Sequence, residues 1–218
     1  MDMLRLRFSK TGKAKYISHL DLMATMRRAL LRAGVNLKYS EGFNPHPYIS
    51  IALPLPIGCG SICELMDVRT EGMLSTDGLC EKITSALPEG LEVTEVYEST
   101  RKFSGIAWVE MNGVLHYDKG NPQNATSALL ERFNSESIII SKRTKRGVSD
   151  LDVAPYMHDI EIADNDGLSI RIRVSAHDPT INPDNLICVV NGTQGVPSPE
   201  FSIFTRAEIF DDDLNNFK

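Results

Sequence analysis

At 218 residues and 24.2 kDa the chain is long for one compact domain and sufficient for two of about 100 residues each, and its 42% hydrophobic content can fill two modest cores, which excludes a disordered chain. A net charge of −6 argues against a nonspecific nucleic-acid coat, which needs an overall basic surface. The most apolar stretch, Ile49 to Ile57, is short and carries Pro54 and Pro56, and no N-terminal segment has the order of a signal peptide, so no membrane association and a cytoplasmic location are expected.

In chain order, Leu4 to Phe8 alternates apolar and basic residues, the pattern of a strand with one buried face. Ser18 to Ala33 reads as a helix, with Leu22, Met26, Ala29, Leu30 and Ala33 on one face and Asp21, Thr25, Arg28 and Arg32 on the other. Gly34 is a natural stop. Tyr48–Leu53 and Glu64–Thr70 are strands, Thr76–Leu87 a second helix, and Leu91–Tyr97 a closing strand, giving the order β-α-β-β-α-β over residues 1–100. The same order is expected over 104–210. There Gly105–Val114 is a strand, a helix opens at Asn121-Pro122, and Ser137–Ser141 is the second strand. Leu168–Val174 is the third, Asn182–Val190 a short helix, and Phe201–Phe210 the last strand. The expected fold is therefore α+β, two tandem ferredoxin-like modules meeting near Ser99 to Ser104, with a frayed acidic tail over 211–218.

Charge is unevenly distributed. Residues 1–46 hold nine Lys/Arg against three acids, so an anion or nucleic-acid footprint and a solvated surface explain the basic N-terminal region equally well. The four cysteines, 59, 63, 80 and 188, make no disulfide framework at this chain length. Cys59 and Cys63 have the spacing that opens the iron–sulfur motif of radical-SAM enzymes, but position 66, where a third cysteine belongs, is Met66. A zinc site from Cys59, Cys63 and Cys80 is the alternative to ordinary reduced thiols, but paired short-spaced ligands are missing, so no cofactor and no metal are expected on this chain.

Three constellations could carry chemistry. In Tyr16 to Asp21, Ser18 and Asp21 fit a helix-capping box better than a nucleophilic catalyst, which leaves His19 displayed on the first helical turn. In Tyr39 to Pro47, Pro45 and Pro47 hold Asn44 and His46 extended. That segment fits a recognition loop or a rigid connector whose Phe43 plugs a core. A site shared by His19 and His46 would require the loop to run back along the module. The third is Lys142, Arg143, Lys145 and Arg146, which could grip phosphates or guard an edge strand. The outward arginines Arg5, Arg7, Arg171 and Arg173 admit the same two readings.

The runs Leu4 to Gly12 (LRLRFSKTG), Tyr16 to Met23 (YISHLDLM), Tyr39 to Pro47 (YSEGFNPHP) and Ile51 to Gly58 (IALPLPIG) resemble the radical-SAM-linked protein family. The likeness continues more loosely through Arg143–Gly147 and Asp152–Tyr156. This bacterial family of unknown function is found beside a radical-SAM protein or fused to its C-terminus. The resemblance implies an accessory domain whose partner is a separately encoded radical-SAM protein carrying the cluster. The leading expectation is a binding module that presents a structured RNA to that partner. His19, Arg28, Arg32, Phe43, Asn44 and His46 would form the recognition surface, and Lys142, Arg143, Lys145 and Arg146 would contact phosphates. The rivals are a metal-independent RNA endonuclease using His19 or His46 as acid or base, and a protein scaffold without nucleic acid.

Overall fold

A computed structural model of the chain describes residues 3–72, 75–144, 147–164 and 167–218. It is mixed α+β, with mostly antiparallel strands and four α-helices among the described residues. The chain divides into two units: the first runs to Gly105 and takes in Lys218, and the second is Ile106–Phe217.

The first unit runs β1 (Met3–Lys10), α1 (His19–Arg32), β2 (Ile49–Ile51), β3 (Gly60–Arg69), α2 (Leu79–Ser85) and β4 (Leu91–Glu98). Its strands lie in the order β4-β1-β3-β2, each pair antiparallel. Period-two alternation places Leu4, Leu6 and Phe8 of β1 on one face, where they bury against Leu22, Met26, Ala29 and Leu30 of α1 and Ile83 of α2. These are the residues whose spacing marks the helix in the sequence. Arg5 lies on the opposite face, yet it has no exposed surface, because Arg101 and Phe103 close over it. The expectation of an outward Arg5 is corrected: alternation assigns a face without saying whether another segment covers it.

The second unit runs β5 (Trp108–His116), α3 (Ala125–Phe133), β6 (Ile139–Thr144), β7 (Gly147–Asp152), β8 (Met157–Asp164), β9 (Leu168–Ser175), α4 (Pro183–Asn191) and β10 (Phe201–Phe210). Four strands form an antiparallel order β10-β5-β9-β8, while among the described residues β6 and β7 pair only with each other. The sequence places the second strand of this unit at Ser137–Ser141, and the structure corrects that: those residues lead into a separate hairpin, and β8 takes the place beside β9. A shift of register between His158 and Glu161, with Asp159 at φ 49°, breaks the alternation that would have marked β8. The hairpin is tied down by Asp152, whose carboxylate accepts from the backbone N–H of Ile138 at 2.8 Å and of Ala154 at 3.1 Å.

The acidic tail is also corrected. Asp211 Oδ1 accepts from the Asn215 and Asp213 amides, the Phe217 amide donates to Ile209 O at 2.8 Å, and the Phe217 ring is fully buried. One buried aromatic side chain anchors a segment that its charges alone would leave frayed.

Candidate functional site

Asn36 to Thr70 of the first unit build the candidate site. Beyond α1 the chain returns as a narrow ribbon beside the end of β3. The Lys38 amide donates to Arg69 O, the Tyr48 amide to Lys38 O and the Arg69 amide to Tyr48 O, all at 2.9–3.0 Å. Tyr39 bridges Pro47, and the Ser40 amide donates to His46 O at 2.9 Å. The segment from Glu41 to Pro45 is therefore the tip of a stitched loop.

Ser40 sets the direction of His46. Its Oγ accepts the His46 amide at 3.1 Å and lies 3.0 Å from Nδ1, with Asn44 O 3.4 Å from the same nitrogen. In either tautomer Nδ1 is engaged by the loop, so Nε2 is the nitrogen left to meet a ligand. Phe43, at the tip, is fully exposed. It plugs no core, which removes the reason for reading this loop as a connector anchored by that ring. Asn44 is exposed beside it.

His46, Pro47, Tyr48, Ile49 and Ser50 line a groove of about 290 Å³ with Met3, Asp67 and Arg69. The Arg69 guanidinium lies 5.2 Å from the Tyr48 ring centroid, and the His46 and Tyr48 rings are 6.4 Å apart at 58°. Asp67 also borders the groove, but Arg5 holds it from inside through Nε–Oδ1 at 2.7 Å and Nη2–Oδ2 at 3.0 Å. Sequence reasoning missed Tyr48 and Arg69. They are 21 positions apart and meet only through the β2–β3 register, Ile49 opposite Val68.

The remaining expected residues separate. Arg32 is exposed in the last turn of α1, at the end that leads to the loop, and Arg28 is exposed one turn earlier. His19 starts α1 at the other end. Its neighbour Ser18 is the N-cap, accepting the Asp21 amide at 3.1 Å and donating its hydroxyl to the Asp21 carboxylate at 2.7 Å. The Lys10 ammonium donates to Ile17 O at 3.2 Å, so His19 sits by the last residue of β1, whereas the groove of His46 includes Met3, the first. An eight-residue strand is about 23 Å long, so the two histidines form no common site. Lys142 and Arg143 lie on β6 in the second unit; Lys145 and Arg146 lie outside the described residues. Arg171 and Arg173 are engaged on their own sheet, with Glu161 at 2.8 Å and Asp159 at 2.6 Å.

Lys10 is buried, 1% exposed, and its ammonium is held below the ordinary lysine value, chiefly by loss of hydration, with the Glu64 and Cys59 charges opposing. Cys59 and Cys63 are buried, their sulfurs close to Gly60 O and Ser61 Oγ. Among the described residues no group of three or more His, Cys, Asp or Glu is placed to hold a metal ion.

Comparison with solved structures returned matches of low identity. A chain of a Cbf5–Nop10–Gar1 complex aligns over 96% of this chain and 50% of its own, with a TM-score of 0.50 and 13% identity. The present chain thus spans half the length of that structure. An unknown protein from Galdieria sulphuraria aligns over 80% and 79%, at a TM-score of 0.27 and 11% identity. Comparison with curated protein sequences returned no match. Residues 3–183 match the profile of a bacterial family, and the chain belongs to it: DUF2344, described as an uncharacterized protein conserved in bacteria.

Proposed function

We propose that this chain is an accessory subunit that binds a structured RNA and presents it to a separately encoded radical-SAM protein, and that both of its units are ferredoxin-like modules. The β-α-β-β-α-β order of the first unit, with its β4-β1-β3-β2 sheet, supports the fold reading; the second unit repeats that order with the β6–β7 hairpin inserted.

One observation carries the RNA reading: a loop fixed by Ser40 and His46 holds Phe43 fully exposed at its tip, while His46 of the same loop lines a groove with a tyrosine ring and a guanidinium. An exposed aromatic on a preformed loop stacks on an unpaired base at little cost in order, and guanidinium groups hold the phosphates beside it. Arg32 and Arg28 are exposed on α1, which packs on the other face of the sheet, so the cation of the groove itself is Arg69. The radical-SAM partner is supported by the sequence runs of the first unit. Exposed Tyr16, Leu20 and Ile57, near the opposite end of β1, supply apolar area for such a protein contact.

Crosslinking in bacterial cytoplasm, followed by sequencing of bound RNA and identification of bound proteins in the same sample, tests the proposal. The expected result is intact RNA together with a radical-SAM protein. Defined cut ends would replace it with the endonuclease reading, and bound protein with no RNA would replace it with the scaffold.

A further inference from the structure

We infer that the groove between the Tyr39–Pro47 loop and the end of β3 is a subsite for a single nucleoside monophosphate unit, with Arg69 holding the phosphate and His46 Nε2 hydrogen-bonding beside it. The inference rests on the RNA reading for the source of that unit, an unpaired nucleotide of the bound strand.

The charge of the groove decides the chemistry of its ligand. Two ionised side chains border it, Asp67 and Arg69. Both oxygens of Asp67 are engaged by Arg5, a fully buried side chain, so the carboxylate is neutralised from the protein side. Arg69 has no carboxylate partner among the described residues; its guanidinium rests against the Tyr48 ring. The charge left to act on a ligand is therefore positive. A guanidinium carries its N–H donors in a planar fork, the geometry that grips phosphate, and this one lies 5.2 Å from the Tyr48 ring centroid at the groove wall.

The other walls fit the rest of a nucleotide. The His46 Nδ1 is occupied by Ser40 and Asn44, so its Nε2 edge is offered in a fixed direction. Ser50, opposite Asp67 in the β2–β3 register, adds a hydroxyl for phosphate or ribose oxygens. Tyr48 is 39% exposed, and the Phe43 ring stands free three residues from His46, so aromatic surface for a base is at hand. A volume of about 290 Å³ is at the lower end of ligand clefts, which suits one nucleotide unit and no larger ligand.

The test is an amide NMR titration of the full chain with three probes, adenosine 5′-monophosphate, adenosine and a single-stranded adenosine hexanucleotide, repeated on Arg69→Gln after confirming an unchanged melting temperature. The monophosphate should shift the Ser40, His46, Tyr48 and Ser50 amides, adenosine should bind at least about tenfold more weakly, and Arg69→Gln should lose a similar factor. Equal binding of adenosine and its monophosphate, or an unchanged monophosphate affinity in Arg69→Gln, overturns the subsite. If the monophosphate binds in the groove and the hexanucleotide binds nowhere, the subsite stands as one for a free nucleotide and the RNA reading fails. If the hexanucleotide binds without moving these amides, the RNA reading stands and the subsite fails. Should Arg69→Gln unfold the chain, His46→Ala carries the same comparison, since its side chain is exposed.

Discussion

Arg5 and Asp67 face each other across the β1–β3 register as a two-pronged ion pair, 2.7 and 3.0 Å, with the arginine entirely out of contact with water. Its Nη2 also donates to Arg101 O at 2.6 Å, and Phe103 lies over the guanidinium at 4.4 Å. The pair thus joins the strand face opposite α1 to the segment that ends the first unit, and it removes a negative charge from the edge of the His46 groove.

Breaking this pair from one side should be far more damaging than removing it. Asp67→Asn takes the two-pronged carboxylate away from a buried guanidinium, at an expected cost of about 3–5 kcal/mol in urea unfolding. Arg5→Met combined with Asp67→Leu should recover most of that loss. A single-variant cost below about 1 kcal/mol would show that water reaches the guanidinium.

Lys10 should impose an alkaline dependence on stability. Its folded-state pKa lies below the ordinary value of 10.5, with burial as the largest cause. Between the two values the unfolded chain binds the proton that the folded chain has released, so folding stability rises with pH across that window. Below it the full cost of burying the ammonium is present. Thermal unfolding followed upward to pH 10.5 should show this rise in the native protein, and Lys10→Met should flatten it. An identical slope in both would place the dependence on another group.

Much of the first unit was legible because its signals are local. The spacing of Leu22, Met26, Ala29 and Leu30 with Ser18 in front marks α1 and its cap, and the alternation from Leu4 to Phe8 marks β1. The covering of Arg5 was not legible, since Arg101 and Phe103 arrive from about a hundred residues away. The β6–β7 hairpin was hidden for a different reason: the apolar run Ile138 to Ile140 has the composition of a sheet strand, while the bulged β8 does not. At the site, the prolines announced a preset loop around His46. Tyr48 and Arg69 required the strand register, and the separation of His19 from His46 required the length of β1.

Gly113 tests the packing of the second unit. It sits opposite Phe204 in the β5–β10 pairing, and the ring occupies the space that a side chain at 113 would need. Its backbone is ordinary for any residue, so Gly113→Ala should act through this clash alone and cost about 1–3 kcal/mol. Gly113→Ala combined with Phe204→Leu should lose less than the two single costs added. Strict additivity would mean the ring and the glycine are independent.

The central claim is that the Tyr39–Pro47 loop is a binding surface and not a connector. The direct measurement is an anisotropy titration of RNA recovered by crosslinking against the native chain, Phe43→Ala and His46→Ala, with melting temperatures recorded for each. Phe43 is fully exposed and His46 is exposed, so both variants should melt with the native protein. Phe43→Ala should weaken binding by about 1–3 kcal/mol, the worth of one base stacked on an aromatic ring. Native affinity in both variants, or a loss of affinity that tracks a lowered melting temperature, would contradict the account.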